Sequence, residues 1–117
     1  MNKMVYQEIV EEIKKQCEDV SEFAEGGLEG EKMYPEAKWN SKEYYVVKNP
    51  ILGIVSQIEQ YGGEGKGEDW WVVYYFEDHD VYIKVDGYYQ SYNGTEFVGW
   101  DCLSEVRPVE KTIIQYI

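Results

Sequence analysis

Residues 70 to 89 read WWVVYYFEDHDVYIKVDGYY. Two runs of aromatic and β-branched residues flank a polar quartet, Glu77-Asp78-His79-Asp80, which holds the only histidine of the chain. The flanking runs alternate with period two. Trp70, Val72, Tyr74 and Phe76 fall on one side of an extended chain, and Trp71, Val73 and Tyr75 on the other. After the quartet, Val81, Ile83 and Val85 oppose Tyr82, Lys84 and Asp86. Two strands joined by a short polar connection form a hairpin. Both sides of its first strand are apolar or amphipathic, which predicts a central strand covered on both faces.

The quartet also has the composition of a metal or acid–base site, which leaves a metal-dependent enzyme at 77–80 as a third reading, but geometry weighs against it. Consecutive residues near strand ends point in opposite directions, so four side chains in a row cannot converge on one ion. A catalytic zinc takes three protein ligands, usually with a second histidine, and the chain has none. Asp and Asn are what tight turns require. The sequence therefore predicts a hairpin tip, with no cofactor and no metal implied.

Working outward, residues 3–24 carry Val5, Ile9, Ile13 and Cys17 every four positions, widened by Tyr6, Val10, Val20 and Phe23. This stripe predicts one amphipathic helix stopped by Gly26-Gly27, with its apolar side packed on a sheet. Residues 25–43, with three glycines and a proline, have no sustained period and read as an irregular linker. Strand texture begins at 44–48, YYVVK, which ends at Asn49-Pro50. It continues through 51–61, ILGIVSQIEQY, where a short helix is the alternative. Asn93-Gly94 gives a two-residue hairpin signal, because both central residues of a type I′ turn need positive φ. TEFVGW returns from it. LSEVR and VEKTIIQYI form the last one or two strands, with Pro108 at an edge or a bulge. One helix followed by strands in short-looped succession predicts a single α+β domain over 1–117. Its body, 44–117, is a twisted antiparallel sheet or small open barrel of five to six strands.

The glycine-rich connection GGEGKGED, 62–69, does not cradle phosphate. It precedes a strand rather than opening a helix, Lys66 is followed by glycine, and Glu64, Glu68 and Asp69 repel anions. Across the chain, 23 Asp and Glu face 11 Lys and Arg, a net charge of −12. This excludes a nucleic-acid binder, which needs a basic surface to release counterions. Such a charge either keeps the protein soluble or steers it onto a basic partner. Residues 67–117 alone hold ten acids and three bases. Glu68, Asp69, Glu77, Asp78, Asp80, Asp86 and Glu96 fall near predicted strand ends and turns. Tyr82, Tyr88 and Tyr89 add to more aromatic surface than one small core absorbs, and a Tyr-rich patch rimmed by charge has the composition of a protein interface. Cys17 and Cys102 have no metal-ligand spacing and read as reduced, partly buried thiols. No segment has the ~20 apolar residues of a membrane helix, and no export signal is visible, which predicts a cytoplasmic protein.

The phrases EQYGGEG, DHDVYIKVDGYY, YNGTEF and EVRPVEKTI, within residues 54–117, resemble those of a recurrent type of small phage-encoded protein. The resemblance leaves out the N-terminal helix and transfers no catalytic residue. It implies a protein made in an infected bacterial cell. Small acidic phage proteins act by occupying a host protein's surface, some by imitating the charge of DNA against restriction or CRISPR effectors. The expectation is a non-enzymatic anti-defence inhibitor, monomeric or dimeric, that binds a basic host protein through Glu68, Asp69, Glu77, Asp78, Asp80, Tyr82, Asp86, Tyr88 and Tyr89. The alternative is a phage assembly module that self-associates through its helix or a strand edge.

Overall fold

The hairpin at 70–89 lies at the centre of an open antiparallel sheet with seven strands among the described residues. The structure, a computed structural model, describes residues 3–33, 46–63, 65, 67–92 and 94–108. The elements are α1 Tyr6–Gln16, α2 Val20–Ala24, β1 Glu31–Met33, β2 Val46–Asn49, β3 Gly53–Tyr61, β4 Asp69–Phe76, β5 Val81–Gln90, β6 Gly94–Glu96 and β7 Leu103–Val106. A single 3₁₀ turn, Trp100–Cys102, precedes β7. The sheet order is β1-β2-β3-β4-β5-β6, a meander in which each strand pairs with its predecessor. β7 also pairs with β5, so β5 shares its second edge between β6, along Tyr88–Gln90, and β7, along Tyr82–Val85.

The helices cover one face of this sheet. Ile9, Ile13, Cys17, Val20, Phe23, Ala24 and Leu28 pack against Val47, Val55, Val72, Tyr74, Phe76, Val81, Ile83, Val85 and Leu103. Ile9 and Ile13 are fully buried, and each contributes about 1.5–3 kcal/mol relative to exposure. Phe23 meets Tyr74 ring to ring at 5.0 Å. The Tyr74 hydroxyl, buried beneath α2, donates to the Ala24 carbonyl at 2.9 Å. The core therefore fixes the far end of the helical segment as well as its middle.

Several expectations change and one alternative is resolved. The helix of 3–24 is two helices, broken at Cys17–Asp19. Asp19 accepts from the Glu22 N–H at 2.9 Å, while the Glu22 carboxylate accepts from the Glu18 N–H at 2.7 Å. The run thus contains a helix start of its own, which the continuous apolar stripe concealed. The linker of 25–43 contains β1, an exposed three-residue edge strand without apolar alternation; residues 34–43 lie outside the described residues. The strand of 44–48 is described from Val46. Within 51–61 the expected strand, not the alternative helix, forms over Gly53–Tyr61, with Ile58 bulged out between Gln57 and Glu59. A hairpin joins β5 and β6 as expected, but Gly94, at φ 75°, pairs with Gln90 and begins β6, so it is not part of a two-residue loop; Asn93 lies outside the described residues. TEFVGW keeps only a short strand, and VEKTIIQYI lies outside the described residues. Among the described residues the sheet has seven strands, more than the expected five to six, and it is an open sheet.

Candidate protein-docking surface

The polar quartet is a tip, and three of its four side chains hold the fold together. His79 is 4% exposed. Its Nδ1 accepts the Met4 N–H at 2.9 Å, and its Nε2 lies 3.1 Å from the Leu52 carbonyl oxygen. The ring is therefore neutral with its proton on Nε2, and both nitrogens are engaged. Asp78 accepts the Ile54 N–H at 3.1 Å. Asp80, at φ 52°, accepts from the Tyr75 hydroxyl at 3.1 Å and lies 3.5 Å from the Arg107 guanidinium. Among the described residues no three His, Cys, Asp or Glu side chains gather in metal-binding geometry.

A second polar hub was not anticipated. Asn49, 5% exposed, accepts from the Ile51 and Leu52 N–H groups at 3.0 and 2.8 Å and donates to the Glu29 carbonyl at 2.8 Å. It also exchanges hydrogen bonds with the Gln16 side chain. Asn49 and His79 tie opposite ends of α1 to the turn between β2 and β3. The sequence marks Asn49 only as the residue before a proline; its partners at 16 and 29 are brought to it by the fold.

The face of the sheet away from the helices carries the aromatic surface. Among the described residues no helix covers it, so β4 is sheltered by helices on one face, not two. Register builds it row by row. Tyr61, Trp71 and Asp86 lie side by side across β3, β4 and β5, followed by Glu59, Val73 and Lys84, then Ser56, Tyr75 and Tyr82. Tyr61 and Trp71 stack at 5.8 Å with an 18° interplanar angle. Tyr75 and Tyr82 stack at 4.3 Å. The Lys84 ammonium sits 5.2 Å from the centre of the Trp71 ring and 3.5 Å from Asp86 Oδ1.

The expected contact residues divide between the two ends of the β4–β5 hairpin. Glu68, Asp69, Asp86, Tyr88 and Tyr89 lie at its open end, where the Tyr89 N–H donates to the Glu68 carbonyl and Asp69 pairs with Tyr88. Glu77, Asp78 and Asp80 form the tip, about 26 Å away at strand rise, with Tyr82 close behind. Asp69, Tyr82, Asp86 and Tyr88 share the helix-free face; Tyr89 alternates to the other. The Tyr88 hydroxyl donates to the Glu96 carboxylate at 2.6 Å, and that bond holds the phenol above its usual range. Its bond to Asp80 does the same for Tyr75. Sequence reading missed Tyr61, Trp71, Lys84 and Glu59 as one neighbourhood. Alternation aligns Asp69 with Trp71, but the bulge at Ile58 and the glycine-rich connection hide which residues of β3 lie beside them.

Cys17 is buried and Cys102 partly buried; both are free thiols. Burial first, then the carboxylates of Glu22, Asp19 and Glu29, push the Cys17 thiol up to about 11. Among the described residues no helix is long and apolar enough to cross a membrane. No family model, curated protein or solved structure matches the chain.

Proposed function

We propose that the protein is a non-enzymatic binding module whose helix-free sheet face docks on a basic surface of another protein. The observation that carries this reading is the face itself, where aromatic rings and carboxylates alternate on a hydrogen-bonded sheet with no covering helix among the described residues. Rigid aromatic side chains supply contact area at low entropic cost, and the surrounding acids give orientation and a fast encounter with a cationic partner. The resemblance to phage-encoded proteins points to a partner in the cytoplasm of an infected bacterium. There, a defence effector with a groove built for nucleic acid would present the complementary charge. The protein would then act as a monomer or dimer by occupying that groove. The apolar stripe of α1 is buried against the sheet, which leaves the helix little to offer in self-assembly.

The test is capture of bacterial proteins on the immobilised chain between about 50 and 200 mM salt, where charge-driven complexes weaken steeply. Wild type is compared with a Glu59→Gln, Asp69→Asn, Asp86→Asn variant. Asp78 and Asp80 are left intact because each stabilises a turn. A DNA-binding protein retained by wild type at low salt, lost at high salt and lost by the variant supports the reading. Capture indifferent to both changes rejects it, and sedimentation as a high-order oligomer favours assembly instead.

A further inference from the structure

At the open end of the aromatic face lies a depression of about 380 Å³ lined by Tyr61, Asp69, Trp71, Lys84 and Asp86 among others. Its chemistry is specific. One wall is the stacked Tyr61–Trp71 pair, and two carboxylates flank it on the same face. The chain has already placed a cation there. Lys84 holds its ammonium over the Trp71 ring while pairing with Asp86, and its side chain remains 33% exposed. Among the described residues Asp69 forms no ion pair, so two carboxylates share one ammonium and the depression keeps a net negative charge. Electron-rich ring faces and carboxylates together favour a cation, and the internal lysine, held by both Trp71 and Asp86, occupies the place such a cation would take.

We propose that this depression is a socket for an arginine side chain of the basic partner, and that Lys84 is a placeholder displaced when the arginine enters. The inference rests on the docking reading above and assigns its anchor point. A planar guanidinium is more weakly hydrated than an ammonium. It lies flat on an indole while its fork engages carboxylates at the ring edge, so it competes favourably with Lys84 for the same space. Lys84 gives up one ion pair at the surface, where such pairs contribute little.

The probe is a triarginine peptide, with trilysine as comparison, titrated into the full chain at low salt. The readouts are affinity and the indole N–H resonance of Trp71, assigned with Trp71→Phe. The expected result is that triarginine moves the Trp71 resonance and binds more tightly than trilysine. Lys84→Met should tighten triarginine binding by roughly two- to fivefold, and Asp86→Asn should weaken it by a similar factor. Lys84→Met keeps the aliphatic stem and removes only the competing charge, so the test does not depend on a variant that disturbs the core. Binding that Lys84→Met leaves unchanged or weakens overturns the placeholder. If peptide binds while Trp71 stays still and acidic residues at the tip respond, the socket is wrong and charge-driven docking stands. No binding by either peptide at low salt rejects both.

Discussion

His79 shows how a single side chain can look catalytic and be architectural. Its two ring nitrogens serve one donor and one acceptor, the Met4 amide and the Leu52 carbonyl, and its proton must therefore sit on Nε2. A nitrogen-15 spectrum of the ring should show a protonated Nε2 and a bare Nδ1. Replacing it with alanine leaves the Leu52 carbonyl buried without its donor. His79→Ala should therefore lower stability by about 1–3 kcal/mol in urea unfolding, with no loss at a catalytic step. An unchanged midpoint would refute the anchoring role. The turn was legible in the sequence, because strand alternation cannot converge four neighbouring side chains. The anchor was not, because its partners lie 75 and 27 residues away. Gly53 illustrates the same limit. It sits at φ 79°, and a Cβ there would run into the Asp78 carboxylate that receives the next amide.

Among the elements, β4 and β5 were the most legible, since their side chains alternate without interruption and each keeps one apolar face. β3 was harder because the bulge at Ile58 breaks the alternation within one strand. β1 left no signal: three exposed residues carry nothing that hydrophobic periodicity can report. The helical segment was over-read, since α1 ends at Gln16 and Asp19 starts a second helix while the apolar stripe runs on. That makes Asp19 a defined test. Asp19→Ala removes the acceptor for the Glu22 amide and should cost about 1 kcal/mol, measured by chemical unfolding. A neutral result would mean that packing of Val20 and Phe23 alone sets the break.

For the whole molecule, burial and neighbouring carboxylates make stability sensitive to alkaline pH. The Cys17 thiol is held neutral up to about 11 in the fold, against 9.0 for an exposed thiol. Below pH 9 both states are protonated and the group has no effect. As pH rises from about 9 to 11, the unfolded chain releases a proton that the folded chain retains, so stability falls across that window. Tyr6, Tyr75 and Tyr88, also raised, act in the same direction. Cys17→Ala should flatten the alkaline decline in an unfolding series, and a decline of unchanged steepness would place its cause elsewhere. At this scale the sequence conveyed the α+β architecture and the acidity. It could not convey which face the helices leave open, because that depends on pairing between strands whose connection carries no periodicity.

The junction at His79 has a consequence for the order of folding. One imidazole meets the chain at positions 4 and 52, closing spans of 75 and 27 residues. Closing the longer span costs about 0.9 kcal/mol more in chain entropy. The contact between the two turns should therefore form while the sheet assembles, and the seating of Met4 should come late. A bond made after the rate-limiting step slows escape from the native state more than it speeds arrival. The histidine that resembled an active-site residue is thus placed to act as a kinetic latch, governing how long the folded chain lasts before it opens.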